Sequence, residues 1–497
     1  MTSSNYLNNA VDLDSTYIVN NDPNYQGIQS AVTSRKTVMF GQQILSQTYP
    51  IGNLNNAINY AQSIPSPIVD QDSVNITGVT PTAVFYRSRA NTSQSTVRGN
   101  FNLLENIPQT TPWQTTPSLG NSSTPVQSGS TASNWSQIAS NYQSGSGGAP
   151  GLAPALALQS NGTLWGSGYN SRGALGNNST SDSTFFQQVI GPNATGPINS
   201  WSQVVGSKWV LAIQSNGTLW SWGYNLAGEC GLGTANNSFS SPVQIGTSLW
   251  SKIACGYSSN LAIQTNGTLW AWGQQRYGQL GNGSTVIGSL SSPVQIGIQS
   301  YWVNVANGSR NSFMFQNNGV LWGSGDNIFG ALGNNTTTSF STPVQVSTIS
   351  NWSQAACGYN FSVALQSNGT LWTWGNNSFG QLGQSDLINR SSTTQVGSLS
   401  TWVQIACGYS HAVAVQSNGT IWAWGNNSFG QLGLSDVTHR SSPVQVGALS
   451  AWTRVACGGY YTLAVNNGVI YGWGNNSAGQ FGLTPTANSV TKVTYGL

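Results

Sequence analysis

Charge is what this sequence has least of. Asp, Glu, Lys and Arg make up 5% of its 497 residues, against about 25% in an average soluble domain. Solubility therefore rests on Asn, Ser, Thr, Gln and Gly. The net charge of +3 is close to neutral over this length. A nucleic-acid binder gathers Lys and Arg on one face. The densest group here is Arg87, Arg89 and Arg98, which a solvated strand edge or an ion pair accounts for, so nucleic acid is not expected as a partner.

Histidine occurs twice and no Cys-x-x-Cys occurs, which argues against a zinc site. No paired carboxylates fall at equivalent strand ends, and no glycine-rich loop opens a helix to cradle phosphate. Catalytic residues, metal and cofactor are therefore all read as none. No stretch reaches the roughly 20 apolar residues of a membrane-spanning helix. The start, MTSSNYLNNAVDLDSTY, lacks the basic and apolar regions of a secretory leader. The expectation is synthesis in a cytoplasm, without ordinary export or membrane insertion.

What is plentiful is glycine (59), tryptophan (20) and repetition. Residues 1–107 do not repeat. Strands are expected at Lys36–Phe40, Ser73–Val79, Ala83–Ser88 and Val97–Leu103, and a short helix at Asn53–Gln62. This segment reads as a small β-rich or extended docking arm. Residues 108–133 form a Ser/Thr/Pro-rich linker whose Pro125-Val-Gln127 matches a strand that recurs later.

From residue 134 to the end the chain is periodic. The clearest copy is Ala412–Gly433, AVAVQSNGTIWAWGNNSFGQLG. Period-two alternation marks a half-buried strand, Asn418-Gly419 a tight hairpin with both residues at positive φ, and Ile421–Trp424 the returning strand. The hairpin asparagine recurs at Asn161, Asn216, Asn266, Asn318, Asn368, Asn418 and Asn467, spaced from 49 (418 to 467) to 55 (161 to 216) residues apart. A Trp-x-x-apolar phrase precedes each hairpin, and a Pro-Val-Gln-like phrase follows. Four short strands per unit, seven times over, predict an all-β, seven-bladed propeller of four-stranded antiparallel blades. Paired tryptophans such as Trp422 and Trp424 point to one face and fill the wedge between blades. Pro125–Gln127 and Val490–Val493 compete to close the last blade; one is expected to complete it and the other to lie beside it. Five Asn-Gly-Thr triplets match the glycosylation acceptor pattern, but turn chemistry explains them. Cys255, Cys357, Cys407 and Cys457 occupy equivalent places and are expected unpaired, in separate blades.

The phrase CGYSHAVAVQSNGTIWAWGNNSFGQLG (407–433), with its near-copy at 357–383, resembles the repeat of the regulator-of-chromosome-condensation propeller family. The Cys-Gly, His411, Asn-Gly, Trp-Gly and Gly-Gln-Leu-Gly fall at the family's places, over about 135–497. The resemblance implies a seven-bladed propeller, with His411 as a packed structural residue. It implies less about function, because members include a nucleotide-exchange factor for a small GTPase, a plant ultraviolet-B receptor, ubiquitin-ligase modules and a β-lactamase inhibitor. The first two roles fit poorly. The repeats hold five acids (Asp182, Glu229, Asp326, Asp386, Asp436), and Trp209 is the lone tryptophan just after a repeat's first strand.

A binding face is expected on the loops between first and second strands. Its candidate residues are Tyr142, Lys208, Trp209, Tyr257, Arg310, Tyr359, Phe361, Tyr409, Tyr460 and Tyr461. The loops after Gly-Gln-Leu-Gly are placed on the opposite rim. Bipartite layout, low charge and the absent leader lead to a non-enzymatic structural or attachment protein of a bacteriophage particle. Its N-terminal segment would dock on virion proteins, and its propeller would be displayed on the virion surface for decoration or for binding a host protein or glycan. The alternatives are a cytoplasmic interaction propeller (GTPase regulator or scaffold) and a bacterial surface or secreted binder.

Overall fold

A computed structural model describes residues 10–12, 36–40, 43–44, 85–88, 122–128, 134–140, 153–192, 196–284 and 286–482. Contacts divide the chain into Met1–Thr116 and Pro117–Leu497. In the first unit, Lys36–Phe40 pairs antiparallel with Ala10–Asp12, Gln43–Ile44 and Phe85–Ser88. Two of the expected strands thus form, the second as Phe85–Ser88. Ser73–Val79, Val97–Leu103 and the helix at 53–62 lie outside the described residues.

The second unit holds seven antiparallel blades. Blade 6 runs Trp402–Cys407, His411–Gln416, Ile421–Gly425 and Arg440–Gln445. Its second strand is buried at every position, whereas the fourth is only partly buried. First strands line the central channel and fourth strands form the outer edge. That placement explains Pro443 and its equivalents, because proline cannot donate to a ladder and is tolerated on an edge strand. Blades 2 and 3 share one long strand, Asn237–Cys255, the fourth of one blade running into the first of the next.

Blade 7 is closed from the other end of the domain. Ser122–Gln127 pairs with Val469–Gly474, Val126 opposite Gly472 and Gln127 opposite Tyr471. The N-terminal candidate is therefore the clasp; Val490–Val493 lies outside the described residues.

Six of the seven hairpins differ from expectation. Gly162 N–H donates to Gln159 O (3.0 Å) and Gln159 N–H to Thr163 O (2.9 Å), which makes a three-residue loop with glycine as the left-handed bulge residue. Here the asparagine keeps negative φ and only the glycine is left-handed, at +77° in Gly419. Asn side chains do the remaining work. Asn216 Oδ1 accepts from Thr218 N–H (3.0 Å) and Oγ1 (2.7 Å), and Trp220 Nε1 donates to Thr218 Oγ1 (3.0 Å). Blade 7 has one residue fewer between its ladder pairs: Asn466 faces Val469, and Asn467 (+48°) and Gly468 (+76°) are both left-handed. Only there does the two-residue hairpin form.

The core is distributed over the seven junctions between blades. At the junction of blades 2 and 3, Trp272 packs on Leu211, Leu219 and Cys230. Its Nε1 donates to Glu229 O of the preceding blade (2.9 Å). Trp222, Trp374 and Trp424 repeat this bond to Ala174, Ala331 and Gln381. Burying one such indole removes on the order of 200 Å² from water, about 5 kcal/mol of favourable transfer. All five cysteines are free and buried.

Candidate functional site

In an antiparallel four-stranded blade, the loop between strands 1 and 2 and the loop between strands 3 and 4 emerge on the same face. The structure joins them there. This corrects the placement of the loops around Gly-Gln-Leu-Gly on the opposite rim: Arg310, from a first loop, lies 4.4 Å from the ring centre of Tyr277, from a third-strand loop.

The first loops are handed from blade to blade by the main chain. Tyr257 N–H donates to Gly308 O (3.1 Å), Tyr359 N–H to Tyr409 O (2.9 Å) and Tyr409 N–H to Gly459 O (3.0 Å). These bonds put the side chains in van der Waals reach. Arg310 lies between Tyr277 and Tyr359, at 4.4 and 5.1 Å from the ring centres, and pairs with Asp326 at 3.3 Å. Tyr359 stacks on Tyr409 (4.7 Å, 10°), Tyr409 leans on Tyr460 (5.6 Å), and Tyr460 meets Phe429 (5.0 Å). The result is an arc from blade 3 to blade 7, with every member half-buried and one surface toward solvent.

Six of the ten residues singled out in the sequence thus stand on this face: Lys208, Tyr257, Arg310, Tyr359, Tyr409 and Tyr460. Three do not present themselves. Trp209 (0% exposed), Phe361 (0%) and Tyr461 (1%) are interior. They open the second strands, each opposite a glycine of the third (Gly223, Gly375, Gly474). At this register position the side chain turns under the loop into the next blade: Trp209 Nε1 donates to Asn260 Oδ1 (2.7 Å), and Tyr461 Oη to Ala153 O (3.2 Å). His411 holds the same position in blade 6 and is fully buried, as a packed histidine should be. Tyr142 lies outside the described residues.

Tyr277 and Phe429 were missed, as was Tyr224, which has Lys208 at 5.8 Å and Arg172 at 5.9 Å from its ring centre. The signal was present. They sit at the variable positions of Gly-x-x-x-x-Gly, and strand parity alone places that loop beside the first.

Blade 2 carries the most deeply buried acid of the described face. Glu229 stands where blades 3, 5, 6 and 7 have glutamine; it is 1% exposed, and its Oε2 accepts from Ala227 N–H (2.7 Å). Burial pushes its carboxyl up to about 7 despite that bond and nearby Lys208. Burial likewise lowers Lys208. Because the folded pKa exceeds the unfolded one, the stability linked to Glu229 is fully present below about pH 4.5 and is lost as pH rises through 7. Glu229→Gln is expected to raise unfolding free energy by about 3 kcal/mol at pH 8 and to match the parent near pH 4. Parallel pH profiles in chemical denaturation would refute this.

Among the described residues, no three His, Cys, Asp or Glu gather as metal ligands. Cys255, Cys357, Cys407 and Cys457 line the channel, and burial pushes the Cys457 thiol up to about 12, far from a reactive thiolate. The described residues of this face stack and hydrogen-bond.

Comparison with known proteins agrees. A family model described as the regulator of chromosome condensation (RCC1) repeat matches residues 216–263, 266–315, 318–365, 368–415 and 418–465. A second RCC1-repeat model matches 250–279, 352–381 and 402–431. Human WBSCR16 is similar in structure at 21% identity, with TM-score 0.57, over 70% of this chain and 88% of that one. Prp20p from Saccharomyces cerevisiae is similar at 21% identity, with TM-score 0.55, over 66% and 82%. With five copies of the repeat matched and seven blades of the same four-stranded build, the chain belongs to the regulator of chromosome condensation (RCC1) repeat family of β-propellers.

Proposed function

We propose that this chain is a non-catalytic protein-interaction propeller of the regulator or scaffold class, and that its partner docks on the loop face. The arc from Tyr277 through Arg310, Tyr359, Tyr409 and Tyr460 to Phe429 carries this reading. Tyr and Arg are enriched at binding hot spots, and here neighbouring blades hold them in fixed orientation. Little rotamer freedom remains to be lost on binding. Prp20p is described as binding Gsp1p and histones, and the family this chain resembles includes an exchange factor for a small GTPase, so a small GTPase is the first partner class to test and the cell interior the first place to look. The particle-attachment reading rests on composition and layout alone, and no similarity supports it.

The test is affinity capture with the full chain from lysate of the organism that makes it, alongside nucleotide-release assays on its small GTPases. The partner is expected to bind the double variant Tyr359→Ala/Tyr409→Ala at least 100-fold more weakly, with unchanged circular dichroism. Equal binding by that variant overturns the assignment of the face. Recovery of the chain in purified virus particles would restore the particle reading.

A further inference from the structure

The opposite face, where the hairpins turn, has its own chemistry. The third residue of each first strand holds one register position. Lys252 faces Ile263 as Gln203 faces Ile213, Gln354 faces Leu365, Gln404 faces Val415 and Arg454 faces Val465. These side chains ring the mouth of the central channel, in a basin of about 1110 Å³.

Most of the ring is tied to the next blade. Gln137 Nε2 donates to Val204 O (2.8 Å), Gln354 Nε2 to Val403 O (2.9 Å), and Gln404 Oε1 accepts from Val455 N–H (3.1 Å). Arg454 Nε donates to Ser136 O (2.9 Å) and Nη1 to Thr453 O (2.7 Å). This bracing holds the guanidinium at the basin wall. The sector of Gln203 and Lys252 is different. Gln203 Oε1 is buried with no hydrogen-bond partner, and Lys252 is exposed.

The charges are also segregated. All five acids in the described propeller (Asp182, Glu229, Asp326, Asp386, Asp436) belong to loops of the other face. Among the described residues, Lys252 and Arg454 are the charged ones lining this basin, and both are positive. A concave mouth with like charges, amide and hydroxyl walls and no counter-ion focuses a positive potential.

We propose that the hairpin-face mouth of the channel is a binding site for a small multivalent oxyanion, a polyphosphate or a polycarboxylate, held by Lys252 and Arg454 and by the amides and hydroxyls between them. The site is independent of the loop face.

Titration of the full-length protein by calorimetry, at constant ionic strength, with tripolyphosphate and separately with citrate tests this. Saturable binding of at least one is expected, and which one binds separates the phosphate from the carboxylate source. Lys252→Gln places in blade 3 the amide that blades 1, 2, 5 and 6 already carry, so the fold is preserved. It should raise the Kd at least tenfold, and Lys252→Gln/Arg454→Gln should abolish binding. Failure of the parent to bind either anion, or an unchanged Kd in Lys252→Gln, overturns the proposal.

Discussion

Deleting residues 120–130 is expected to lower propeller stability by about 3–5 kcal/mol and to broaden its unfolding. Ser122–Gln127 is the fourth strand of blade 7, taken from the opposite end of the domain. Its loss removes the ladder to Val469–Gly474, the bond from Ser128 N–H to Ile470 O (2.8 Å) and the bond from Ser435 N–H to Ser123 O (2.8 Å). At roughly 1 kcal/mol net per hydrogen bond, with partly buried Pro125 and Val126 added, the sum falls in that range. The ring also loses the covalent link that makes its last blade depend on its first residues. Blade 7 is left with a bare strand edge, a template for association with other chains. Denaturant unfolding followed by circular dichroism measures the loss. A synthetic peptide spanning 117–130 should restore stability, rising with the logarithm of its concentration above the Kd. An unchanged midpoint would show that the clasp does not carry closure.

The second large effect is acid sensitivity at His411. Thr462 Oγ1 donates to Gln431 O (2.9 Å), so His411 Nε2, 3.1 Å away, must donate to Thr462. The bare Nδ1 is buried without a partner. Burial disfavours a charge on the ring, a hydrogen bond with the Tyr461 main chain offsets this only in part, and the ring is held at about 3. The folded pKa lies below the unfolded value of about 6.5. The stability is therefore whole above pH 6.5 and is lost as pH falls toward 3, about 3 kcal/mol by pH 4 and about 5 kcal/mol in full. Phe361 fills the same register place in blade 5, which makes His411→Phe the natural variant. The parent is expected to lose about 3 kcal/mol relative to His411→Phe between pH 7 and pH 4. Taking the difference cancels the opposite drift from Glu229. Profiles that stay parallel would sink the assignment. The neighbouring glycine limits other choices, since a Cβ on Gly408 would lie 2.1 Å from His411 Cε1.

Blade number and strand order were legible because each is a local pattern repeated seven times, and the tryptophan wedges because their pairing recurs in four blades. Repetition averages out the ambiguity of any one short strand. The hairpin was legible as a turn but not as a turn type. Asn418-Gly419 and Asn467-Gly468 look alike, yet one residue of loop length separates a bulged three-residue turn from a two-residue one. The loop face was half legible. Tyr257, Arg310, Tyr359, Tyr409 and Tyr460 were found because they follow the first strand directly. Trp209, Phe361 and Tyr461 were assigned to the surface because they adjoin those residues. One position further along, strand alternation turns the side chain inward, and the adjacent blade covers it.

Local chemistry thus determined that the chain makes seven four-stranded blades, four of them with paired tryptophans. Tertiary structure decided what no single repeat contains. Contacts between blades choose which terminal strand closes the ring, which aromatics become core, and which loops meet on a face. It was also the ring that brought Lys252 and Arg454, two residues about 200 positions apart, to one channel mouth. Such neighbours are set by closure of the ring, and closure has no signature within any stretch of fifty residues.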